Sequence, residues 1–224
     1  MLDAIPFDLD PKIILERARL SPGSEEAAEL SELVERVAAV ARPRAVYREC
    51  FVDGRGEDSL TIEGRLFRSR TLLKVLDGKE RVFAYVASCG PEPDLLAAGD
   101  EDPLRRWWLD LIKTVLLEAA RGRLSGLLEQ RYALGPSSTI GPGTGEAGVW
   151  PLAQQKELFA LLEGRPAEIG VELTASCLMV PNKTVSGLRF PSAVNYRSCQ
   201  LCRREICPSR AAEFDPALWE SVHA

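Results

Sequence analysis

The stretch Gly170-Val171-Glu172-Leu173-Thr174-Ala175-Ser176-Cys177-Leu178-Met179-Val180-Pro181-Asn182-Lys183-Thr184-Val185-Ser186-Gly187 lies in the last third of the chain. Ile169 to Leu173 reads as a strand, and Thr184 to Phe190 reads as another. Between them, Pro181 and Gly187 fix the shape of the backbone around Lys183, Thr184 and Ser186. Small hydroxyl side chains there let a ligand approach the main chain closely. A second distinctive stretch follows, Ser198-Cys199-Gln200-Leu201-Cys202-Arg203-Arg204-Glu205-Ile206-Cys207, with three thiols on one short segment.

Working outward, helices and strands are mixed. Apolar positions at Ile13, Ile14, Leu15 and Ala18 predict a short helix. Ser24 before Glu25 and Glu26 predicts a capped helix start, with Ala28, Leu30, Leu33, Val37 and Val40 as its stripe and Pro43 after its end. Ala45 to Val52 reads as a strand, Asp53-Gly54-Arg55-Gly56 as a turn, and Leu60 to Ile62 as a second strand. Ser69 caps a short helix closed by Asp77-Gly78, and Arg81 to Ala87 is an apolar strand. Pro103 to about Tyr132 is the longest helix, with Leu104, Trp107, Trp108, Leu111, Ile112, Val115, Leu116 and Ala119 along it. Gly135 to Gly148 reads as a loop, Leu152 to Leu162 as a helix, and Asp215-Pro216 as the start of a terminal helix. No regular βαβ repeat appears. The expected class is α+β: one domain over 1–224 with a largely antiparallel twisted sheet flanked by helices. Its helical part covers about 1–43 and its Cys-rich segment about 197–210.

Composition excludes several functions. A net charge of −5 argues against a nucleic-acid surface. No apolar run reaches the ~20 residues that span a membrane, and Asp3, Asp8 and Asp10 stand where a secretory leader would be basic. The expected location is cytoplasmic. The single histidine, His223, rules against histidine triads and two-histidine metal motifs. Six cysteines in such a chain read as metal ligands, redox groups or buried apolar residues rather than a disulfide framework.

The segment from Gly170 to Gly187 resembles the activation (reactivation) domain of cobalamin-dependent methionine synthase, whose comparable stretch reads G-x-x-L-T-x-S-x-x-M-x-P-x-x-S-V-S-G. The three-cysteine cluster looks like the tail of stand-alone relatives of that domain. Phe83-Ala84-Tyr85-Val86-Ala87-Ser88-Cys89-Gly90 and Trp150-Pro151-Leu152 are similar to their apolar strand and to the start of the helix before the signature. The resemblance implies reductive activation of a corrinoid (cobalamin) cofactor on a partner methyltransferase, with S-adenosylmethionine as methyl donor. The implied partners are a cobalamin-dependent methionine synthase or another corrinoid protein, and flavodoxin or ferredoxin as electron donor. Cobalamin itself is met only through the partner, since the corrin-binding D-x-H-x-x-G pattern is absent.

The family holds S-adenosylmethionine with an R-x-A-P-G-Y segment. Aligned on Pro142-Gly143, this chain has Thr139 for the arginine, Gly141 for the alanine and Thr144 for the tyrosine. The resemblance therefore implies cofactor-binding positions at Gly141, Pro142, Gly143 and Thr144, joined by Lys183, Ser186, Gly187 and Tyr196. Threonine cannot reproduce the planar two-donor fork by which arginine holds a carboxylate. Arg131 and Arg189 are the candidates to replace it from elsewhere in the fold, and restoring Arg at 139 and Tyr at 144 is expected to tighten the ligand. Cys199, Cys202 and Cys207 form C-x2-C-x4-C among Arg197, Arg203, Arg204 and Arg210, cations that favour thiolate. Zinc, an iron–sulfur cluster, a redox-active pair and plain reduced thiols all remain open, with Cys177, Cys89, Cys50, a partner residue or a substrate atom as fourth ligand. Two other readings stand beside the first: a metal- or cluster-bearing electron-transfer activator that needs no S-adenosylmethionine, and a non-catalytic corrinoid-protein binding module.

Overall fold

Val82, Ala84 and Val86 face one way along their strand and Phe83, Tyr85 and Ala87 the other, and all six are buried. A strand apolar on both faces belongs in the middle of a sheet covered on both sides. The computed structural model, which describes residues 1–99, 101–144, 149–192, 196–207 and 210–223, places it there. The six strands are β1 (Arg44–Arg55), β2 (Ser59–Ile62), β3 (Arg65–Arg68), β4 (Arg81–Ser88), β5 (Ser137–Ile140) and β8 (Thr184–Pro191), in the order β3-β2-β1-β4-β8-β5. Every pairing is antiparallel. Two short strands, β6 (Glu172–Leu173) and β7 (Met179–Val180), form a separate ribbon. The expected α+β class with an antiparallel sheet flanked by helices is what the chain adopts.

One face of the sheet is covered by α5 (Pro103–Tyr132), which sets Ala120, Leu124 and Leu128 against Ala45, Phe83, Tyr85 and Ala87. Asp102 caps this helix, accepting from Leu104 N at 2.8 Å, and Pro103 occupies its first turn. The N-terminal half of α5 packs on α1 (Pro11–Ala18) and α2 (Glu25–Val40) through Trp108, Ile112 and Leu116. The opposite face of the sheet carries α3 (Arg70–Val75), α6 (Gln155–Leu161), α7 (Arg165–Glu168) and α8 (Pro216–His223) around Phe67, Leu72, Trp150, Leu158 and Ile169. A short α4 (Glu92–Leu96) follows the central strand. Among the described residues no helix is long and apolar enough to cross a membrane.

The structure corrects several expected boundaries. The turn expected at Asp53–Gly56 is a bulge: β1 continues to Arg55, with the register slipping between Val52 and Gly54. β3 was not expected, because Arg65-Leu66-Phe67-Arg68 buries only Phe67. Ile169 lies at the end of α7 rather than in a strand. Leu104 and Trp107 are largely exposed, so the buried stripe of α5 starts at Trp108 and continues at every fourth residue to Leu128. Most consequential is β5, which occupies part of the stretch expected to be loop and forms the outer edge of the sheet. Its register on β8 pairs Thr139 with Arg189 and Ile140 with Leu188.

Two glycines permit that pairing. A Cβ on Gly187 would stand 2.4 Å from Ile140 O, and one on Gly141 would stand 2.5 Å from Ser186 O. Both values lie inside van der Waals contact, and both obstacles are main chain. Gly187 thus serves the approach of two strands. Gly187→Ala and Gly141→Ala are each expected to lower stability by about 1–3 kcal/mol. Gly122→Ala in α5, where a Cβ meets nothing within 4 Å, should raise it by about 0.5–1 kcal/mol. Urea unfolding midpoints check both signs; a neutral Gly187→Ala would mean that β5 is not held in this register.

Candidate functional site

The Gly141–Thr144 segment is a closed turn at the end of β5. Thr144 N donates to Gly141 O at 3.2 Å, and the Thr144 hydroxyl donates to the same oxygen at 2.6 Å. Gly143 takes φ +72°, where glycine is favoured, and its N–H donates to Trp150 O at 2.8 Å. Thr144 Oγ1 also lies 3.2 Å from Ser198 Oγ. That contact joins the turn to the segment carrying Tyr196 and Cys199. Gly145 and the rest of the expected loop to Gly148 lie outside the described residues.

Beside this junction, along the edge of β5, is a cleft of about 320 Å³. It is lined by three arginines, Arg121 from α5, Arg189 from β8 and Arg197, together with Ser137, Ser138, Thr139, Ser198 and Tyr196. Among the described residues Cys199 and Ala211 complete the lining, and no carboxylate belongs to it. The volume is at the lower end of the range of small-molecule sites, about 300–1,000 Å³.

Arg189 is the best-ordered cation of the cleft. Its Nε and Nη2 donate to Ser137 Oγ at 3.1 and 2.7 Å, and Nη1 donates to Ser125 Oγ at 2.5 Å. Desolvation moves its guanidinium below the usual arginine value, opposed by nearby Tyr85 and Glu129. Burial likewise raises the Tyr85 phenol, while Arg121, Thr139 and Arg189 act the other way. Tyr196 is 6% exposed, and its hydroxyl has no hydrogen-bond partner among the described residues. Burial pushes this phenol up to about 12; the nearby Ser198 hydroxyl opposes the shift without reaching hydrogen-bond geometry, and Cys199 adds to it. A buried hydroxyl left unpaired costs about 1–3 kcal/mol, and here it borders the cleft.

The other expected site residues are placed elsewhere. Lys183 Nζ pairs with Asp110 at 3.1 Å, and Asn182 donates to the other oxygen of that carboxylate at 3.1 Å. Burial opposes ionisation of Asp110, but the bonds from Asn182 and Lys183 and the charges of Lys183 and Lys113 outweigh it and hold its pKa below the ordinary value. Lys183 therefore fastens the signature segment to α5. A broader, more open cleft of about 810 Å³ lies there, flanked by Trp107, Leu178 and Val180. Ser186 turns to the far face of the sheet and accepts from Gln155 Nε2 at 2.5 Å. The structure thus gathers the Gly141–Thr144 turn, Tyr196 and Cys199, and leaves Lys183 and Ser186 apart from that gathering.

The cysteines do not assemble into the expected ligand set. Cys199, Cys202 and Cys207 are free and half-buried, and among the described residues no group of three or more His, Cys, Asp or Glu side chains is placed to hold a metal ion. Cys199 Sγ accepts from Ala211 N at 3.4 Å, and Arg210 donates to Cys202 O. The candidate fourth ligands are buried elsewhere. Cys50 lies in the core against β2 and α3, and Cys89 among α1, α2 and α5. Desolvation is the largest influence on both thiols, raising Cys50 to about 11 and Cys89 to about 12. Cys177 is also buried, with its thiol toward Ala153 O. Arg121, Ser125 and Ser137 were not foreseen as site residues. Only the β5 register and the facing turn of α5 bring them together.

No protein-family profile matches the chain, and no curated protein does. Among solved structures the chain is similar to the MetH reactivation domain, determined bound to AdoHcy. The TM-score is 0.60 at 20% identity, covering 87% of this chain and 74% of that one. The likeness establishes the fold.

The raised Tyr196 phenol has a consequence for stability. A group whose folded pKa lies above its unfolded value contributes fully below the unfolded value and loses that contribution as pH rises through the folded one. For Tyr196 the window runs from 10.0 to about 12. Tyr196→Phe should therefore be at least as stable as the parent at about pH 8 and gain on it further at about pH 11. Urea midpoints at the two pH values measure this; a constant difference would mean that the phenol titrates as if exposed.

Proposed function

We propose that this chain reductively activates the corrinoid cofactor carried by a partner methyltransferase, a cobalamin-dependent methionine synthase, and holds S-adenosylmethionine in the cleft beside β5. The observation that carries the reading is positional. In a fold like that of the MetH reactivation domain bound to AdoHcy, the turn aligned with the family's ligand segment meets Ser198, which lines a cleft together with Tyr196, whose hydroxyl has no partner among the described residues.

The residues present fit such a ligand. Arginines without a competing carboxylate suit the α-carboxylate of an amino acid. The hydroxyls of Ser137, Thr139, Ser198 and Tyr196 suit the ribose and the amine. When bound on its partner, the corrinoid would supply a cobalt able to accept an electron and the methyl group of the sulfonium. This chain's part is to bind and orient the methyl donor beside that cobalt and to keep bulk water from the reacting pair. With one histidine and no corrin-binding motif, it meets the corrinoid only in the complex. The electron comes from a flavodoxin or ferredoxin, and the setting is cytoplasmic.

Titration calorimetry with AdoHcy and S-adenosylmethionine tests the binding half. An anaerobic assay with cob(II)alamin on a methionine synthase lacking its own activation domain tests the rest. The expected result is binding of both ligands, and loss of the cob(II)alamin signal only when chain, reductant and S-adenosylmethionine are all present. Equal loss without S-adenosylmethionine would favour an electron-transfer activator, and no loss with any combination would overturn the proposal.

A further inference from the structure

We infer that Arg189 holds the ligand's carboxylate, taking over across the β5–β8 ladder the task that the family's motif gives to an arginine at the position of Thr139. The inference rests on the reading of the cleft as an S-adenosylmethionine site and names the residue that anchors the ligand there.

Thr139 and Arg189 are directly paired. Side chains of directly paired antiparallel residues leave the sheet on the same face, with Cβ atoms about 4.5–5.5 Å apart. A guanidinium rooted at 189 therefore reaches the volume that one rooted at 139 would fill. Arg131, the other candidate, does not line the cleft; it lies over the Tyr132 ring.

The hydrogen-bond inventory points the same way. A guanidinium has five N–H donors. Arg189 uses one on each nitrogen, toward Ser137 and Ser125. Two N–H donors remain, one on each terminal nitrogen, and a carboxylate is the acceptor that can take both charge-assisted bonds. Both neighbours are neutral hydroxyls, and among the described residues no acid stands within ion-pair reach of Arg189. Arg121 adds a second cation to the same wall, and the unpaired Tyr196 hydroxyl adds a donor. A half-buried, pre-positioned guanidinium with Glu129 nearby but no direct ion pair among the described residues is a site for an anion.

The register also corrects the expectation that Thr139→Arg tightens the ligand. In the parent background it sets two guanidinium groups directly opposite each other, an unfavourable cross-strand pair. Thr144→Tyr removes the hydroxyl that closes the turn. The informative change is the exchange Thr139→Arg with Arg189→Thr, which moves the charge back across the ladder.

The test is calorimetry on the full chain with AdoHcy and with 5′-methylthioadenosine, which has the nucleoside and the thioether but no carboxylate. Arg189→Thr should weaken AdoHcy by roughly 10–100-fold and leave 5′-methylthioadenosine within about twofold; the double exchange should restore most of the AdoHcy affinity. Near-UV circular dichroism confirms that each variant is folded. An Arg189→Thr variant that binds AdoHcy like the parent, or loses both ligands by the same factor, overturns the inference. If the parent binds neither nucleoside, the proposed ligand falls. Inorganic phosphate then decides the anion site alone: a phosphate-dependent shift of the Arg189 Nε resonance keeps it, and no shift removes it.

Discussion

Among the described residues β5 is joined to the sheet through β8 alone, and that pairing depends on two residues without side chains. At Gly141 and Gly187 the strands come so close that any Cβ would meet a backbone carbonyl at 2.4–2.5 Å. Much of the candidate site follows from this contact. It sets Thr139 across from Arg189, starts the Gly141–Thr144 turn at the strand end, and carries that turn to Ser198. A one-residue slip would send Arg189 and Thr139 to opposite faces. The glycine that ends the signature segment is thus a packing requirement, and its functional consequence is indirect.

α5 ties the two ends of this arrangement together. Near its start, Asp110 holds Asn182 and Lys183, and Lys113, nearly fully buried, bridges Asp94 and Asp110. About three turns later, Arg121 lines the cleft and Ser125 supports Arg189. One helix therefore fixes the lead-in to β8 at one end and the guanidinium from β8 at the other. The two ends differ in electrostatics. The Lys183 end is internally neutralised, each cation with an aspartate beside it. At the Arg189 end, among the described residues, Glu129 acts only through its charge and forms no ion pair with Arg189, and there the arrangement calls for an anion from outside.

The elements legible in the sequence were those with a strong local signal. Ser24 and Ser69 mark helix starts by cap chemistry and Pro103 by its fit to a first turn, and Arg81 to Ala87 is apolar enough to be a strand. Those misread depend on distant partners. β5 is Ser-Ser-Thr-Ile, a composition that reads as loop and becomes strand only because β8 offers an edge. The site divides in the same way. The turn at Pro142-Gly143 and Tyr196 were visible by likeness to a motif. Arg121 and the choice of Arg189 over Arg131 were not, because cross-strand register and helix facing are tertiary facts. Lys183 and Ser186 looked like ligand contacts because hydroxyl and amine groups near a glycine suit one; in the fold both are engaged with Asp110 and Gln155.

The central claim is that the cleft beside β5 receives a nucleoside-bearing amino acid by its carboxylate. A crystal structure of the chain grown with saturating AdoHcy tests this most directly. The account predicts ligand density in the cleft, with both carboxylate oxygens on the terminal nitrogens of Arg189 and the Tyr196 hydroxyl bonded to the ligand. Density for AdoHcy at another place on the surface, with Arg189 still bonded only to Ser125 and Ser137, would contradict it.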